Sequence, residues 1–256
     1  MRSRWRARCA RRAIFIGLLT LQILFSGCVY WRLHRLRGQF GEFTTYFNVT
    51  ANPGPDIQFL HPVLHTDDIE WLIGLPPRAS RDQEGKQVLH WVFVKKEGGC
   101  EEHEDVLTEI DCEAIVRFGR VIRIRLPARF NDVVNQDVLD QAFRGADVGD
   151  LNSKVRETGW LLHRDLDIPN EGRIRDLLGM PNRFEESARH RIFDYLYYIS
   201  NTHATMVEEA SDAVGQFIFD RECGRLVQAR IQVGVLIVVV RSDEGERYYV
   251  TLRRDE

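Results

Sequence analysis

Two stretches of the same design decide the fold: IEWLIGLP at residues 69–76 and IRDLLGMP at residues 174–181. Each is apolar at helical spacing, then reaches a glycine, and a proline follows two residues later. Glycine adopts the left-handed conformation that closes a helix, and proline prevents the helix from continuing. The two glycines, Gly74 and Gly179, are separated by 105 positions. The pattern therefore predicts two similar helices and an internal duplication.

The same offset relates apolar residues further along the chain, in segments where alternating side chains indicate strands. These pairs are Trp91 and Leu196, Phe93 and Tyr198, and Val121 and Leu226. We therefore expect an α+β fold with two repeated modules, each a strand, a helix and a three-stranded antiparallel meander. Residues 235–240 and 248–253 predict extra C-terminal strands, joined by a hairpin turn.

The domain boundaries follow from this reading of the 256 residues. We expect a signal peptide at 1–27, a lipid-anchored juxtamembrane linker at 28–42, and a first α+β module at 43–127. A connecting helix and linker at 128–154 then precede the second module at 155–256, which includes the C-terminal hairpin.

The N-terminus has the composition of an export signal. Residues 1–27 hold six arginines and no acidic residue, and an apolar run from Ile14 leads to Ser26 and Gly27. A basic head, a short apolar core and small residues at its end are typical of secretory signals. The apolar run is too short to span a bilayer comfortably. The alternative is an uncleaved membrane anchor that continues through Trp31.

The end of this signal, LFSGC at residues 24–28, resembles the lipobox of bacterial lipoproteins, although Phe25 stands where leucine is usual. That resemblance implies that Cys28 carries a lipid and becomes the first residue of the mature chain. Residue 29 is valine rather than the aspartate that retains enterobacterial lipoproteins in the inner membrane. The resemblance therefore implies a protein that faces the periplasm, with the outer membrane favoured over the inner. Trp31 with neighbouring arginines suits either a headgroup layer or a solvated linker helix.

The repeated unit resembles the BamE (SmpA/OmlA) module of outer-membrane lipoproteins, which also occurs in tandem in the β-lactamase inhibitory protein. The positions that carry the resemblance are apolar, glycine and proline residues of both copies: Leu72, Gly74, Pro76, Trp91, Phe93, Phe118 and Gly119, then Leu177, Gly179, Pro181, Tyr198, Phe219 and Gly224. The resemblance implies a periplasmic scaffold or binding protein and no catalytic residues. The second copy and the long connecting segment depart from the assembly-factor members of the family.

The net charge narrows the class of binding partner, and the cysteines suggest one covalent link. The six N-terminal arginines leave a formal charge of −9 on residues 28–256, and an acidic body excludes the basic face that nucleic acids require. After export, Cys100 and Cys112 could form a disulfide across a strand and a loop. The alternative is two free thiols, and Cys223 lies in a turn.

Candidate surface residues come from the aromatic strand of the second copy. Phe193, Tyr195 and Tyr197, with His90 of the first copy, could line the free face of a one-sided sheet and form an interface. The alternative is that the other module or the connecting helix covers that face. The sequence holds no nucleophile elbow, phosphate loop or zinc-protease motif, so we expect no catalysis, no cofactor and no metal site.

Three functions remain open on this evidence. The first is a lipid-anchored interaction or envelope-assembly module that binds the membrane through Cys28 and has another envelope protein as its partner. The second is a sensor or assembly factor with a single inner-membrane anchor, and the third is an uncharacterised hydrolase.

Overall fold

The computed structural model describes residues 29, 31–36, 38–39, 42–51, 53–81, 85–96, 108–132, 138, 141, 150–152, 157–162, 167–199, 212–243 and 247–254. The predicted signal at 1–27, the lipid site Cys28 and Cys100 lie outside these residues, as does most of the predicted connecting helix.

Short helices accompany a large set of strands. The helices are α1 (residues 31–36), α2 (Phe43–Tyr46), α3 (Thr66–Ile73) and α4 (Glu171–Leu178), and a 3-10 helix spans Ala128–Asp132. The strands are β1 (Phe47–Thr50), β2 (Asp56–Phe59), β3 (Arg78–Arg81), β4 (Gln87–Lys95), β5 (Glu109–Arg117), β6 (Arg120–Arg125), β7 (Asp150–Asn152), β8 (Glu157–Leu162), β9 (Arg183–Glu186), β10 (His190–Ile199), β11 (Ala213–Asp220), β12 (Leu226–Val233), β13 (Leu236–Asp243) and β14 (Arg247–Arg254).

The strands form one antiparallel sheet in the order β1-β2-β6-β5-β4-β10-β11-β12-β13-β14-β8-β7, with β3 beside β4 and β9 beside β10. The predicted fold of two α+β modules is therefore wrong, since the chain is mostly one large antiparallel sheet. The physical reason is strand pairing across the expected boundary, because β4 hydrogen-bonds directly to β10.

We call the junction between β4 and β10 the seam. Lys95, Val94 and Phe93 pair with Tyr197, Tyr198 and Ile199, in that order. Further bonds extend the seam: Lys96 donates its backbone N–H to the Leu196 carbonyl, and the Asn182 amide donates to the Lys96 carbonyl over 2.6 Å. Asn182 also accepts the backbone N–H of Leu196 at 2.8 Å. These bonds make the two halves one continuous sheet.

Within this sheet the order of elements recurs. Helix α3 and strand β3 start 105 positions before α4 and β9, and both helices end at a glycine with positive φ, 74° at Gly74 and 70° at Gly179. The prediction that both helices end at a glycine with positive φ is confirmed, but only Gly74, with ψ of 9°, is left-handed, whereas Gly179 has a ψ of −153°. Both meanders also contain a register shift at one place, between Ile115 and Val116 in β5 and between Ile218 and Phe219 in β11.

The predicted register of the aromatic strands is wrong by one residue. On β4 the buried side chains are Leu89, Trp91 and Phe93, and on β10 they are Phe193, Tyr195 and Tyr197. These sets correspond at an offset of 104, because the first buried members are 89 and 193. The predicted match of Phe93 with Tyr198 instead pairs a buried side chain with one on the opposite face, since successive residues of a strand alternate.

Hydrogen bonds from the side chains support the offset of 104. The Trp91 indole donates to the Leu75 carbonyl at 3.1 Å, and the Tyr195 hydroxyl donates to the Gly179 carbonyl at 3.0 Å. Each bond joins an aromatic strand to the chain that leaves the preceding helix. Burial raises the pKa of Tyr195, so its phenol stays protonated and keeps this donor.

The first strands of the two halves differ in position. Strand β2 pairs directly with β6, whereas β8 pairs with β14 and is separated from β12 by the β13–β14 hairpin. The predicted superposition from the first strand onward is therefore wrong for that strand. The predicted C-terminal strands are present as β13 and β14.

The larger of two hydrophobic clusters in the described part of the chain lies between the helices and the inner face of the sheet, which is the face that carries Trp91 and Tyr195, and the smaller one surrounds Tyr248 and Val250. Ile69 of α3 and Ile174 and Leu177 of α4 are buried in the larger cluster with the aromatic side chains of both halves. The end of α3 also contacts the second half, because Val235, in the β12–β13 turn, donates its N–H to the Ile73 carbonyl at 3.0 Å.

Helix α1 is tied to the body by a buried ion pair. The Arg32 guanidinium donates through Nε and Nη2 to both oxygens of Asp68, each at 2.6 Å, and the Asp68 side chain is fully buried. One of these oxygens also accepts the backbone N–H of His65, which caps the N-terminus of α3.

Within the described part of the chain, none of the helices has both the length and the apolar character of a membrane span.

We expect Gly74→Ala to destabilise the chain more than a positive φ alone explains. An added Cβ at residue 74 would lie 2.9 Å from a γ-carbon of Val235, whereas the same addition at Gly224, which also has positive φ, meets nothing within 4 Å. The left-handed conformation costs about 1 kcal/mol at either site, and the contact adds about 1 kcal/mol at residue 74 only. Urea unfolding of Gly74→Ala, with Gly224→Ala as the matched control, measures the difference.

A second substitution, Val235→Ala, removes the contact. In that background, the loss of unfolding free energy caused by Gly74→Ala should be close to the loss caused by Gly224→Ala. Equal losses for the two single variants would contradict the packing of the β12–β13 turn against the end of α3.

Candidate functional site

The outer face of the sheet, opposite the helices, carries an apolar patch at the seam. Its side chains are half-buried, and we call them the seam patch: Val92, Val94, Leu196, Tyr198 and Val214. Val94 and Tyr198 are direct cross-strand neighbours, and Leu196 is paired with Val214 on β11. Strand alternation positions these residues, because the intervening residues of β4 and β10 are buried in the core.

Polar side chains flank the seam patch on the β5 side. His90 Nδ1 lies 3.1 Å from Asp111 Oδ1 and 3.8 Å from Glu113 Oε1, and all three residues are on the outer face. Arg125 on β6 lies 3.6 Å from Glu113 through Nη1 and 3.4 Å from Asp56 through Nε. The result is a row of polar contacts from His90 on β4 to alternating acidic and basic side chains on β5, β6 and β2.

The His90 group is the place among the described residues where three side chains could hold a metal. One ligand atom each from His90, Asp111 and Glu113 lies within 4.8 Å of the others. Metal sites need converging and uncompensated ligands. Here the Arg125 guanidinium lies 3.6 Å from the Glu113 carboxylate and compensates part of its charge.

A second polar flank lies on the β11 side of the patch. Gln216 donates to Asp194 at 3.0 Å, and Arg230 donates to Gln232 at 3.2 Å. An apolar centre with a polar margin on both sides is the composition found at protein–protein interfaces.

The predicted interface residues lie elsewhere. Phe193, Tyr195 and Tyr197 are buried in the core, with exposed fractions of 2%, 0% and 5%, so they do not line an open surface. They face the helices, and His90 is on the opposite face of the sheet. The structure therefore does not bring the four predicted residues together, and of these only His90 borders the exposed face.

The two predicted disulfide partners are not both described. Cys112 projects from the inner face of β5, opposite Trp91 in the ladder, while Cys100 lies outside the described residues. Burial, with a smaller contribution from Asp111, raises the pKa of the Cys112 thiol to about 12. Because Cys112 and His90 project from opposite faces, they do not form a cysteine–histidine pair of the kind that activates a nucleophile.

Sequence reasoning missed the seam patch. Leu196 and Tyr198 are apolar and stand between buried aromatic residues, so their alternation carries no sign of which set is exposed. The signal that could have found them is the offset of 104, which matches Tyr195 rather than Leu196 to Trp91 and thereby assigns the buried face.

Comparison of the chain with protein families, with curated proteins and with solved structures gives no match. The predicted resemblance to BamE-like lipoproteins is therefore neither supported nor contradicted by these comparisons.

We expect Cys112 to resist alkylation in the reduced, folded protein. A pKa near 12 in place of 9.0 lowers the thiolate fraction well below pH 9 by about a thousandfold, and the thiolate is the reactive form. Iodoacetamide at pH 8 followed by peptide mapping should modify Cys223, which is exposed, and leave Cys112 intact. The rate of alkylation at Cys112 should still increase with pH above pH 10.

Comparable alkylation of the two cysteines at pH 8 would contradict this environment for Cys112. Mapping of the unreduced protein separately tests the predicted bond between Cys100 and Cys112.

Proposed function

We propose that this chain is a lipid-anchored protein of the bacterial envelope, facing the periplasm, that binds another envelope protein through the outer face of its sheet. A lipid on Cys28 attaches the chain to the membrane. Valine rather than aspartate at residue 29 favours the outer membrane over the inner. Neither catalysis nor a cofactor is part of this proposal.

The observation that carries the proposal is the seam patch. Tyr198, Leu196 and Val94 remain half-exposed at the centre of the sheet, where the two halves join. Tyrosine at the centre of an apolar patch is a common source of binding energy, and polar margins set orientation more than affinity. A rigid sheet face also binds with little loss of conformational freedom.

The position of α1 is consistent with an anchored chain. The apolar N-terminal run ends at residue 27, and Arg32 is fixed to Asp68 only five residues later. The body therefore starts almost at once after the proposed lipid site. The same geometry suits an uncleaved inner-membrane anchor, which is the alternative that processing of the chain distinguishes.

We expect Cys28→Ala to abolish incorporation of a fatty-acid analogue and to leave the precursor unprocessed. Without the thiol, no thioether to diacylglycerol forms, and the signal is not removed. Metabolic labelling of the expressed chain, read by gel mobility and in-gel fluorescence, measures both effects. Cys223→Ala is the matched control and should be labelled like the parent chain. Unchanged labelling and size in Cys28→Ala would favour the uncleaved anchor.

For the binding face, we expect a photo-crosslinking residue at Tyr198 to capture one protein of defined mass in cells. The control position is Tyr249 on β14, which is 41% exposed and four strands away from β10. Val94→Arg places a charge directly across from residue 198 and should reduce its adduct about tenfold, since burying one unpaired charge costs more than 1.4 kcal/mol.

The unfolding midpoint of Val94→Arg should match that of the parent, because residue 94 projects from the outer face. Identical adducts from residues 198 and 249, or an adduct unaffected by Val94→Arg, would contradict the seam patch as the binding surface.

A further inference from the structure

The turn between β5 and β6 presents an aromatic side chain to solvent in a strained conformation. Phe118 is 91% exposed and has a φ of 52°, the one positive φ of a residue other than glycine in the described part of the chain. Two-residue hairpin turns of this kind favour Asn-Gly, because a side chain in the left-handed region costs free energy. Because Phe118 is almost fully exposed, its side chain makes no packing contacts with the core that would offset this cost.

The corresponding turn of the second half shows that the fold does not require an aromatic residue there. In residues 220–225 the Asp220 carboxylate accepts the backbone N–H groups of Glu222, at 2.9 Å, and Cys223, at 3.0 Å. That turn is closed by its own polar side chain and presents no aromatic group. An exposed and strained residue that folding does not explain points to a role in binding.

The location of Phe118 indicates what it binds. Next to it, Arg120 donates to the Pro62 carbonyl at 3.2 Å, and the Val121 N–H donates to the Leu64 carbonyl at 2.9 Å. The turn therefore lies against the loop that leads into α3, in which Leu60 is 45% exposed.

The same loop and the start of α3 hold the N-terminal segment. Arg32 is bound to Asp68, and the Gln39 side chain donates to the His61 carbonyl at 2.9 Å. Helix α1 and the β5–β6 turn thus share one end of the molecule. Residue 31 follows Cys28 by three positions, a distance that the backbone spans in at most about 11 Å.

Two aromatic–arginine pairs lie at this end. The Arg117 guanidinium lies 5.2 Å from the Phe118 ring centre, and the Arg35 guanidinium lies 5.0 Å from that of Trp31. All four side chains are exposed. Tryptophan is enriched at the headgroup level of a bilayer, phenylalanine and leucine enter the boundary between headgroups and acyl chains, and arginines attract anionic phospholipids.

We propose that Trp31, Arg35, Leu60, Arg117 and Phe118 form a contact surface for an anionic phospholipid bilayer. Phe118 enters the boundary between headgroups and acyl chains, and Arg117 binds headgroup phosphate. This surface rests on the proposed anchoring of the N-terminus, and it adds an orientation: the end that carries the β5–β6 turn faces the lipid.

The test uses the full chain reconstituted into vesicles of phosphatidylcholine, with or without phosphatidylglycerol. Phe118 is replaced by p-benzoylphenylalanine, an aromatic residue that crosslinks to nearby C–H bonds on illumination. The control carries the same residue in place of Phe184 on β9, which is 53% exposed in the second half of the chain. Flotation of the vesicles reports anchoring, and mass spectrometry of the illuminated peptides reports lipid adducts.

We expect lipid adducts at residue 118 and none at residue 184. Arg117→Gln should lower the yield on vesicles with phosphatidylglycerol about fivefold, the factor that corresponds to one basic contact with an anionic surface. If the chain floats but residues 118 and 184 give equal adducts or none, the contact surface is wrong and the anchoring proposal stands. A chain that does not float overturns both.

Discussion

The hydrogen bonds between β4 and β10 are the constraint on which the rest of the structure depends. Among the described residues they join three pairs, from Lys95–Tyr197 to Phe93–Ile199, and these pairs connect the strands of the first half to those of the second. Side chains reinforce this short ladder. Asn182 bonds to both strands, and the buried Lys95 ammonium donates to the Leu178 carbonyl at the end of α4 over 2.8 Å. The negative end of a helix dipole favours a cation at this position.

This pairing makes one face of the sheet the core and leaves the other as a surface. The helices of both halves pack on the same side, where Trp91 and Tyr195 bind the chain that leaves α3 and α4. The opposite face is then continuous across the seam, and its apolar centre belongs to neither half alone. This continuous outer surface exists only because β4 pairs with β10.

Local signals in the sequence predicted local structure well. Gly74 and Gly179 end helices as expected, because the requirement for positive φ is a property of a few neighbouring residues. The C-terminal strands were likewise predictable from runs of β-branched residues. The aromatic strand β10 was also recognised, but not its buried face, since Phe193, Leu196 and Tyr198 are all apolar.

The pairing of distant strands could not be predicted from the sequence, for a physical reason. Which strands pair is decided by contacts between residues about 100 positions apart, and neither edge of a three-stranded meander carries a local sequence signal for the strand that pairs with it. The one-residue change of offset between α4 and β10 is hard to see in the sequence, because Trp91 meets an apolar or aromatic residue at either offset, Leu196 at 105 and Tyr195 at 104, yet it inverts the face of every side chain on the strand. The seam patch could not be predicted without it.

The two halves also differ in the segment that each helix contacts: α3 binds α1, and α4 binds the 3-10 helix. At the third position of α3, Asp68 receives Arg32 and fixes α1. At the same position of α4, Arg173 donates to Asp167 at 2.7 Å and to the backbone carbonyl of Asp132 at 2.9 Å, which fixes the end of the 3-10 helix. An arginine here opposes the helix dipole, so its contacts with Asp167 and Asp132 must offset that cost. One position in a repeated element thus carries opposite charges because each copy secures a different segment. For the first copy that segment is α1, which follows closely on the proposed lipid site, whereas for the second copy it is the connection between the two halves.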